Sequence, residues 1–223
     1  MNINGVMESA VRRIREEIIT GSLPAGSRLH ETELSERFGI SRPPLREAFR
    51  TLANENLVVS IPRRGSFVAP MSREDCEHIY RARLMLERTA IDLLGQESRP
   101  GLALLREALE EARRPDAPRT TLECFSAMSR FHRQLIAAAG NRWITHCYEG
   151  LQSSLARYQV LYLNLPGANA PALTEHEEIL ALLERGESAP AKARMTAHLA
   201  RTRRCLLANM PGEGPAQDTP QDF

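Results

Sequence analysis

The chain has 223 residues, 42% of them hydrophobic and 26% charged, with a formal net charge of +1. That is enough apolar content for a packed core in one large or two small domains. No eighteen apolar residues run together and no charged-then-apolar leader is visible, so we expect neither a membrane span nor a secretory signal, and a cytoplasmic protein.

Val6 to Thr20 is predicted to be helical, with Val6, Ala10, Ile14 and Ile18 on one side and Gly21 as its C-terminal stop. The Pro/Gly-containing "GSLPAGSRLH" reads as a loop. A second helix is predicted from an N-cap near Thr32 to Phe38, and Gly39 permits a tight turn. Ser41 can cap a third helix, because Pro43 and Pro44 have no N–H and are tolerated only in a first turn. It runs through Leu45, Ala48, Phe49 and Leu52 to about Asn54. "LVVSIPRRGSFVAP" places β-branched residues on both sides of a Pro-Arg-Arg-Gly turn, the pattern of a short hairpin. Three helices and a hairpin predict a winged helix-turn-helix over residues 1–70.

From Ser72, which opens an S-x-x-D capping box to Asp75, the pattern is helical throughout. Helices are predicted near 72–96, 100–113, 119–139, 141–164, 171–185 and 187–209, separated by the breakers "SRPG", "RPDAP", "AGN", "LPGANAP" and "RGES". The fold class is mostly α, with the winged domain followed by an antiparallel bundle of six or seven helices over 71–210. Residues 211–223 have almost no apolar content and are expected to be a disordered tail. Cys76, Cys124, Cys147 and Cys205 are far apart and form no C-x-x-C pair, which predicts reduced, buried thiols.

The positive charge is local. Between Arg37 and Arg64 there are six arginines against only Glu47 and Glu55, a net +4. Arg42, Arg46 and Arg50 recur every four residues and share one face of the third helix, opposite Leu45, Ala48, Phe49 and Leu52. In a helix-turn-helix this helix enters the major groove by its N-terminal end. An arginine there can grip guanine O6 and N7 with two hydrogen bonds. Arg63 and Arg64 at the hairpin tip would reach a neighbouring groove or backbone. The bland alternative is a set of surface ion pairs with Glu36, Glu47 and Glu55.

The stretch from Ile19 to Val68, "ITGSLPAGSRLHETELSERFGISRPPLREAFRTLANENLVVSIPRRGSFV", resembles the N-terminal domain of the GntR family of bacterial transcription regulators. The resemblance implies a homodimer on a short palindromic operator in double-stranded DNA. It also implies DNA-contacting roles for Thr32, Ser41, Arg42, Pro43, Arg46, Arg64 and Gly65, to which the charge pattern adds Arg50. Pro43 is a departure, since a hydroxyl residue is usual at that position.

In the helical half, "SAMSRFHRQLIAAAGN" puts His132 on the inward stripe Met128, His132, Leu135, Ile136, Ala139. His176 lies on the stripe Leu173, His176, Leu180, Leu183, and His198 on Ala191, Met195, His198, Thr202, Cys205. Three buried imidazoles would each need a partner, and convergence on a divalent transition metal supplies one for all. Three neutral nitrogens with open positions suit zinc, with nickel as the alternative. Arg83 lies on a further buried stripe, Ile79, Arg83, Leu86, Ala90, Leu93, and requires either Glu87 or a ligand as its partner.

This half resembles the all-helical, FCD-type C-terminal domain of the FadR subgroup, through "RARLMLERTAIDLL", "FHRQLIAAAGN", "HEEILALLERGE" and "MTAHLART". In that family a carboxylate, usually Asp, stands four residues before the first histidine and completes a D-H-H-H metal site. Here that position is Met128. The resemblance makes Arg83 a pocket residue, and Met128, Asn141, Gln152 and Tyr158 are expected to line the same effector cavity.

These readings converge on a DNA-binding regulator controlled by a small carboxylate effector in a metal-containing helical pocket, and the family resemblance implies that it is a repressor. One alternative is a zinc-dependent hydrolase using the three histidines. It would need a general base, and Glu175 and Glu177, flanking His176, are expected to point away from its face. The other is a DNA-binding protein without effector, in which the histidines are core.

Overall fold

Ala10, Ile14 and Ile18 recur every four residues along α1 (Ile3–Thr20), so one stripe of this helix is buried and the rest faces solvent. The computed structural model describes residues 3–97, 100–113, 121–163, 165 and 169–210, and the chain separates into two compact units that meet in sequence between Ser72 and Arg73. The expected tail, 211–223, lies outside the described residues.

In the first unit α1 is followed by β1 (Arg28–Leu29), α2 (Glu31–Phe38), α3 (Arg42–Asn54), β2 (Val58–Ile61) and β3 (Gly65–Val68). The sheet order is β1-β3-β2, antiparallel throughout, with Leu29 opposite Ser66 and Val58 opposite Val68. Ile14, Leu34, Leu45, Phe49, Leu52 and Leu57 form the core between the helices and the sheet. Gly39 takes the left-handed conformation (φ 65°) at the end of α2 and turns the chain into α3. Pro43 and Pro44 fall in the first turn of α3, where a missing N–H costs nothing.

Two local expectations are corrected. The loop "GSLPAGSRLH" contains β1, which is too short to show alternation and exists because β3 pairs with it. Thr32 is not the N-cap of α2. His30 holds that position without a side-chain cap, and Glu31 and Glu33 in the first turn supply the negative charge that a helix N-terminus favours.

The second unit contains α4 (Arg73–Glu97), α5 (Pro100–Arg113), α6 (Thr121–Ala138), α7 (Arg142–Leu163), α8 (Asn169–Glu184) and α9 (Ser188–Asn209). The long α4 packs against α6, α7 and α9, while α5 lies on α6 and α8. Close approach of α5 to α6 depends on Gly101, whose added Cβ would stand 2.5 Å from Cβ of Ala138. Of the cysteines, Cys76 is buried, but Cys147 is exposed and Cys205 half-buried, and all three are free. Cys147 departs from the expected burial because it falls on the outward side of α7, next to exposed Trp143 and His146. The side chain of Cys124 lies outside the described residues.

Candidate DNA interface and metal centre

Every position expected to touch DNA is on the surface of the first unit: Thr32, Ser41, Arg42, Pro43, Arg46, Arg50, Arg64 and Gly65 are all exposed. Arg42, the first residue of α3, donates to the Thr32 hydroxyl at 3.2 Å. These two and Gly65 line one cleft between the starts of α2 and α3 and the hairpin. Arg28 and His30, on or next to β1, line it too, and sequence reasoning missed both because that segment read as a loop.

The arginines of α3 are held by carboxylates. Nε of Arg46 donates to both Glu31 oxygens at 2.9 and 3.0 Å, and Arg50 pairs with Glu47 at 2.5 Å. Arg46 and Arg50 remain 62% and 76% exposed, so these pairs are worth little and both guanidinium groups stay accessible from solvent. The expected surface pairs thus form in part, with Glu31 in a place that sequence reasoning did not assign, while Glu55 binds Arg15 instead. At the hairpin tip, Arg64 N–H donates to the Ile61 carbonyl at 3.0 Å, which closes a four-residue turn. Pro62 presets the second position, and Arg63 takes φ 62° at the third, where glycine is the comfortable residue.

In the second unit His132 on α6, His176 on α8 and His198 on α9 converge. Each is almost fully buried, and one ligand nitrogen from each lies within 4.8 Å of the others. Two carboxylates stand behind the imidazoles. Nδ1 of His132 is 2.9 Å from Glu87, and Nδ1 of His198 is 2.7 Å from Glu175. Since a carboxylate only accepts, Nδ1 carries the proton in both rings and Nε2 is left as a lone pair facing the cavity. His176 stacks on Phe131 at 4.5 Å between ring centroids, and its Nε2 lies 3.2 Å from Nε2 of His198. Its Nδ1 has no hydrogen-bond partner.

Burial pushes His132 and His176 well below the ordinary imidazole value, and the Arg83 charge adds to this at both. Burial also lowers His198, against the opposing pull of Glu175. The three rings are therefore neutral, which is the form that binds a metal. Burial would raise the Glu175 carboxyl, but hydrogen bonds from His198 and Arg201 overcome it and hold the group at about 2. Arg201 joins Glu175 to the Tyr162 hydroxyl, which it reaches at 2.7 Å.

Arg83 is fully buried and donates to Glu87 at 2.7 Å, so the glutamate is its partner. Its Nη2 nonetheless has none. Glu87, also fully buried, collects Arg83, His132 and the Tyr148 hydroxyl on one carboxylate. Arg83 and Met128 both line the cavity at the three histidines, which measures about 30 Å³.

The other expected pocket residues stand elsewhere. Asn141 caps α7, its side-chain oxygen accepting from the N–H groups of Trp143 and Ile144 at 3.0 and 3.2 Å. Gln152 faces a separate polar concavity with Arg130 and Thr145, and Tyr158 is packed in the core. The residues of α7 that do line the histidine cavity are Gln159, Tyr162 and Leu163. They lie nearer the C-terminal end of the helix, level with the imidazoles. Glu175 was expected to point away from the site. It does not contact His176, but it crosses to α9, because a one-residue offset turns a side chain off its own helix's face and toward the neighbouring helix. Glu177 is on the surface, paired with Arg113.

The donor set fits a transition metal: three neutral imidazoles, two of them backed by carboxylates, around a small space. Among the described residues, no helix is long and apolar enough to cross a membrane.

Comparison with known proteins matches each unit to a family model. Residues 7–68 match the family model for bacterial regulatory proteins, gntR family, and residues 78–201 match the FCD domain. The chain is 32% identical over 188 residues to BphR, an HTH-type transcriptional regulator of Paraburkholderia xenovorans, covering 81% of this chain and 76% of that protein. It is 25% identical over 197 residues to GlaR, an HTH-type transcriptional repressor of Escherichia coli, covering 84% and 90% respectively. A solved GntR transcriptional regulator from Rhodococcus sp. RHA1 shares the fold, with a TM-score of 0.76 at 23% identity over 92% of this chain and 99% of that one.

Proposed function

Since the chain belongs to the GntR family of bacterial transcription regulators, with an FCD domain following its DNA-binding domain, we propose that it is a cytoplasmic repressor acting as a homodimer on a palindromic operator. Its hold on DNA is set by a small carboxylate bound beside a metal in the helical unit. The family and its relatives are transcription regulators, not enzymes.

The observation that carries the effector reading is the pairing of three convergent imidazoles with an adjacent buried arginine whose Nη2 lacks a partner. His132, His176 and His198 would hold the ion, for which zinc is the first candidate and nickel the second. When bound, the metal supplies an electrophilic anchor for one carboxylate oxygen, and Arg83 Nη2 supplies a donor to the other. The cavity of about 30 Å³ has room for an ion and roughly one water. The acid therefore enters by displacing side chains at the cavity wall, among them Met128 and Leu163. That displacement gives the ligand its differential affinity for two arrangements of the helices, without which no switch can occur.

Repression is favoured by the likeness to GlaR, which is a repressor. A dimer is favoured by Met85 on α4 and Trp143 on α7, large apolar side chains left 70% and 64% exposed on two helices that pack together. The hydrolase reading loses its base, because both buried carboxylates near the site, Glu87 and Glu175, sit behind the imidazoles and not in the cavity.

A gel-shift titration with palindromic operator DNA tests the proposal. Binding at low salt that weakens when a short-chain carboxylic acid is added to the metal-loaded protein is expected. Absence of operator binding at low salt would overturn the regulator reading, and binding indifferent to every acid and to metal removal would favour a regulator without effector.

A further inference from the structure

The residue that departs from the family's metal site remains in the cavity. Met128 stands one helical turn before His132 on α6, so the two side chains lie next to each other on the same face, and both line the space that His176 and His198 enclose. No Asp, Glu or Cys is found among the described residues lining that space. The hydroxyls around it are engaged: Ser129 donates to the Ser126 carbonyl, Thr202 to the His198 carbonyl, and the Tyr162 oxygen accepts from Arg201. Apart from Arg83 Nη2, a donor that cannot ligate a metal, the uncommitted heteroatoms among the described lining residues are the Met128 thioether and the Gln159 amide, and only the thioether shares a helix face with a ligand.

We propose that the Met128 thioether is the fourth metal donor, and that the resulting site of three imidazoles and one sulfur is selective for a soft monovalent ion, Cu(I), over a hard divalent one. The inference rests on the three-histidine metal site proposed above and revises the ion held there from zinc or nickel to Cu(I); with the shell completed by Met128, a carboxylate effector is anchored by Arg83 Nη2 and not by the metal. Thioether sulfur is a soft ligand that favours Cu(I), whereas the carboxylate it replaces favours harder ions. Charge points the same way. All four donors are neutral, the nearest carboxylates are committed to Arg83 and Arg201, and the Arg83 guanidinium is buried at the cavity wall. The cost of burying an ion rises with the square of its charge, so a singly charged ion is far easier to hold here than a doubly charged one. The limited space adds a third argument. A three-histidine zinc site needs a water or anion to complete its shell, while copper bound by three nitrogens and a sulfur needs neither.

The test uses the full-length protein without an affinity tag, under anaerobic conditions, with Cu(I) and Zn(II) titrated separately against chromophoric chelators and the copper-loaded protein measured by X-ray absorption. Wild type is expected to show one sulfur among its copper neighbours. Met128→Leu conserves volume and apolarity and so preserves the fold. It is expected to lose the sulfur and to bind Cu(I) about tenfold or more weakly, with Zn(II) affinity unchanged. Met128→Asp is expected to tighten Zn(II) and weaken Cu(I). Absence of sulfur around copper in wild type, or equal Cu(I) affinity in wild type and Met128→Leu, overturns the thioether assignment. If Zn(II) still binds in that case, the metal site itself stands; if neither ion binds, both proposals fall together.

Discussion

The carboxylate of Glu175 accepts a hydrogen bond from Nδ1 of His198 at 2.7 Å, although Glu175 is the sequence neighbour of His176. It ties one of the proposed metal ligands to its tautomer and is itself gripped by Arg201. Glu175→Gln keeps the shape and removes the charge. Metal affinity should fall about 10–100-fold, read by chelator competition, with helical content unchanged. Undiminished affinity would mean that His198 does not bind the ion through Nε2.

Glu87 carries a heavier structural load. With its charge removed in Glu87→Gln, the fully buried Arg83 guanidinium keeps its positive charge and loses its counterion. Loss of one partner from a buried pair costs about 3–5 kcal/mol, so the urea midpoint should drop steeply. A change no larger than that of an exposed pair such as Arg50–Glu47 would contradict the burial described above.

Acid should destabilise the helical unit in two windows. The three imidazoles have folded values below the ordinary 6.5, so below that pH the unfolded chain binds more protons than the folded one. Stability is complete above about 6.5 and declines as pH falls, by about 1.4 kcal/mol per pH unit for each histidine held neutral. Glu175, held at about 2 against an ordinary 4.5, adds a second loss as pH falls from 4.5 toward 2. Urea melts followed by circular dichroism from pH 8 to 4.5 would show a plateau and then a slope. His176→Leu should make that slope shallower by one proton, since His176 Nδ1 has no partner to lose; an identical slope would show that His176 is protonated in the folded state.

On DNA the arginines should divide by role. Arg46→Ala is expected to cost about 1–3 kcal/mol and to relax discrimination at a single base pair. Arg64→Ala should weaken operator and unrelated DNA alike and reduce the salt slope by about one. Fluorescence anisotropy at several salt concentrations separates the two patterns. Uniform loss in both variants would reassign Arg46 to the phosphate backbone.

Helix limits were legible in the sequence to within two residues throughout the second unit, because left-handed glycines such as Gly140 and Gly186 end helices abruptly. The inward direction of His132, His176 and His198 was legible for the same reason that amphipathic helices are: periodicity assigns a face. It does not assign a height. Gln152 and Tyr158 were expected in the cavity where Gln159 and Tyr162 stand, seven and four residues further along the same helix. Contacts that cross between helices, such as Glu175 to His198, and strands made by pairing, such as β1, depend on neighbours that a one-dimensional pattern does not name.

Arg63 adopts a left-handed backbone that an L-residue holds at a cost of about 1–2 kcal/mol. With Pro62 before it and the Ile61–Arg64 hydrogen bond across it, the tip cannot relax into another shape without breaking the turn. Two guanidinium groups are consequently mounted on a stiff calliper and not on a tether. On the proposed operator such a tip would present its two arginine Cα positions at a fixed spacing, and DNA sequences that it never touches could be distinguished by how closely their grooves match it.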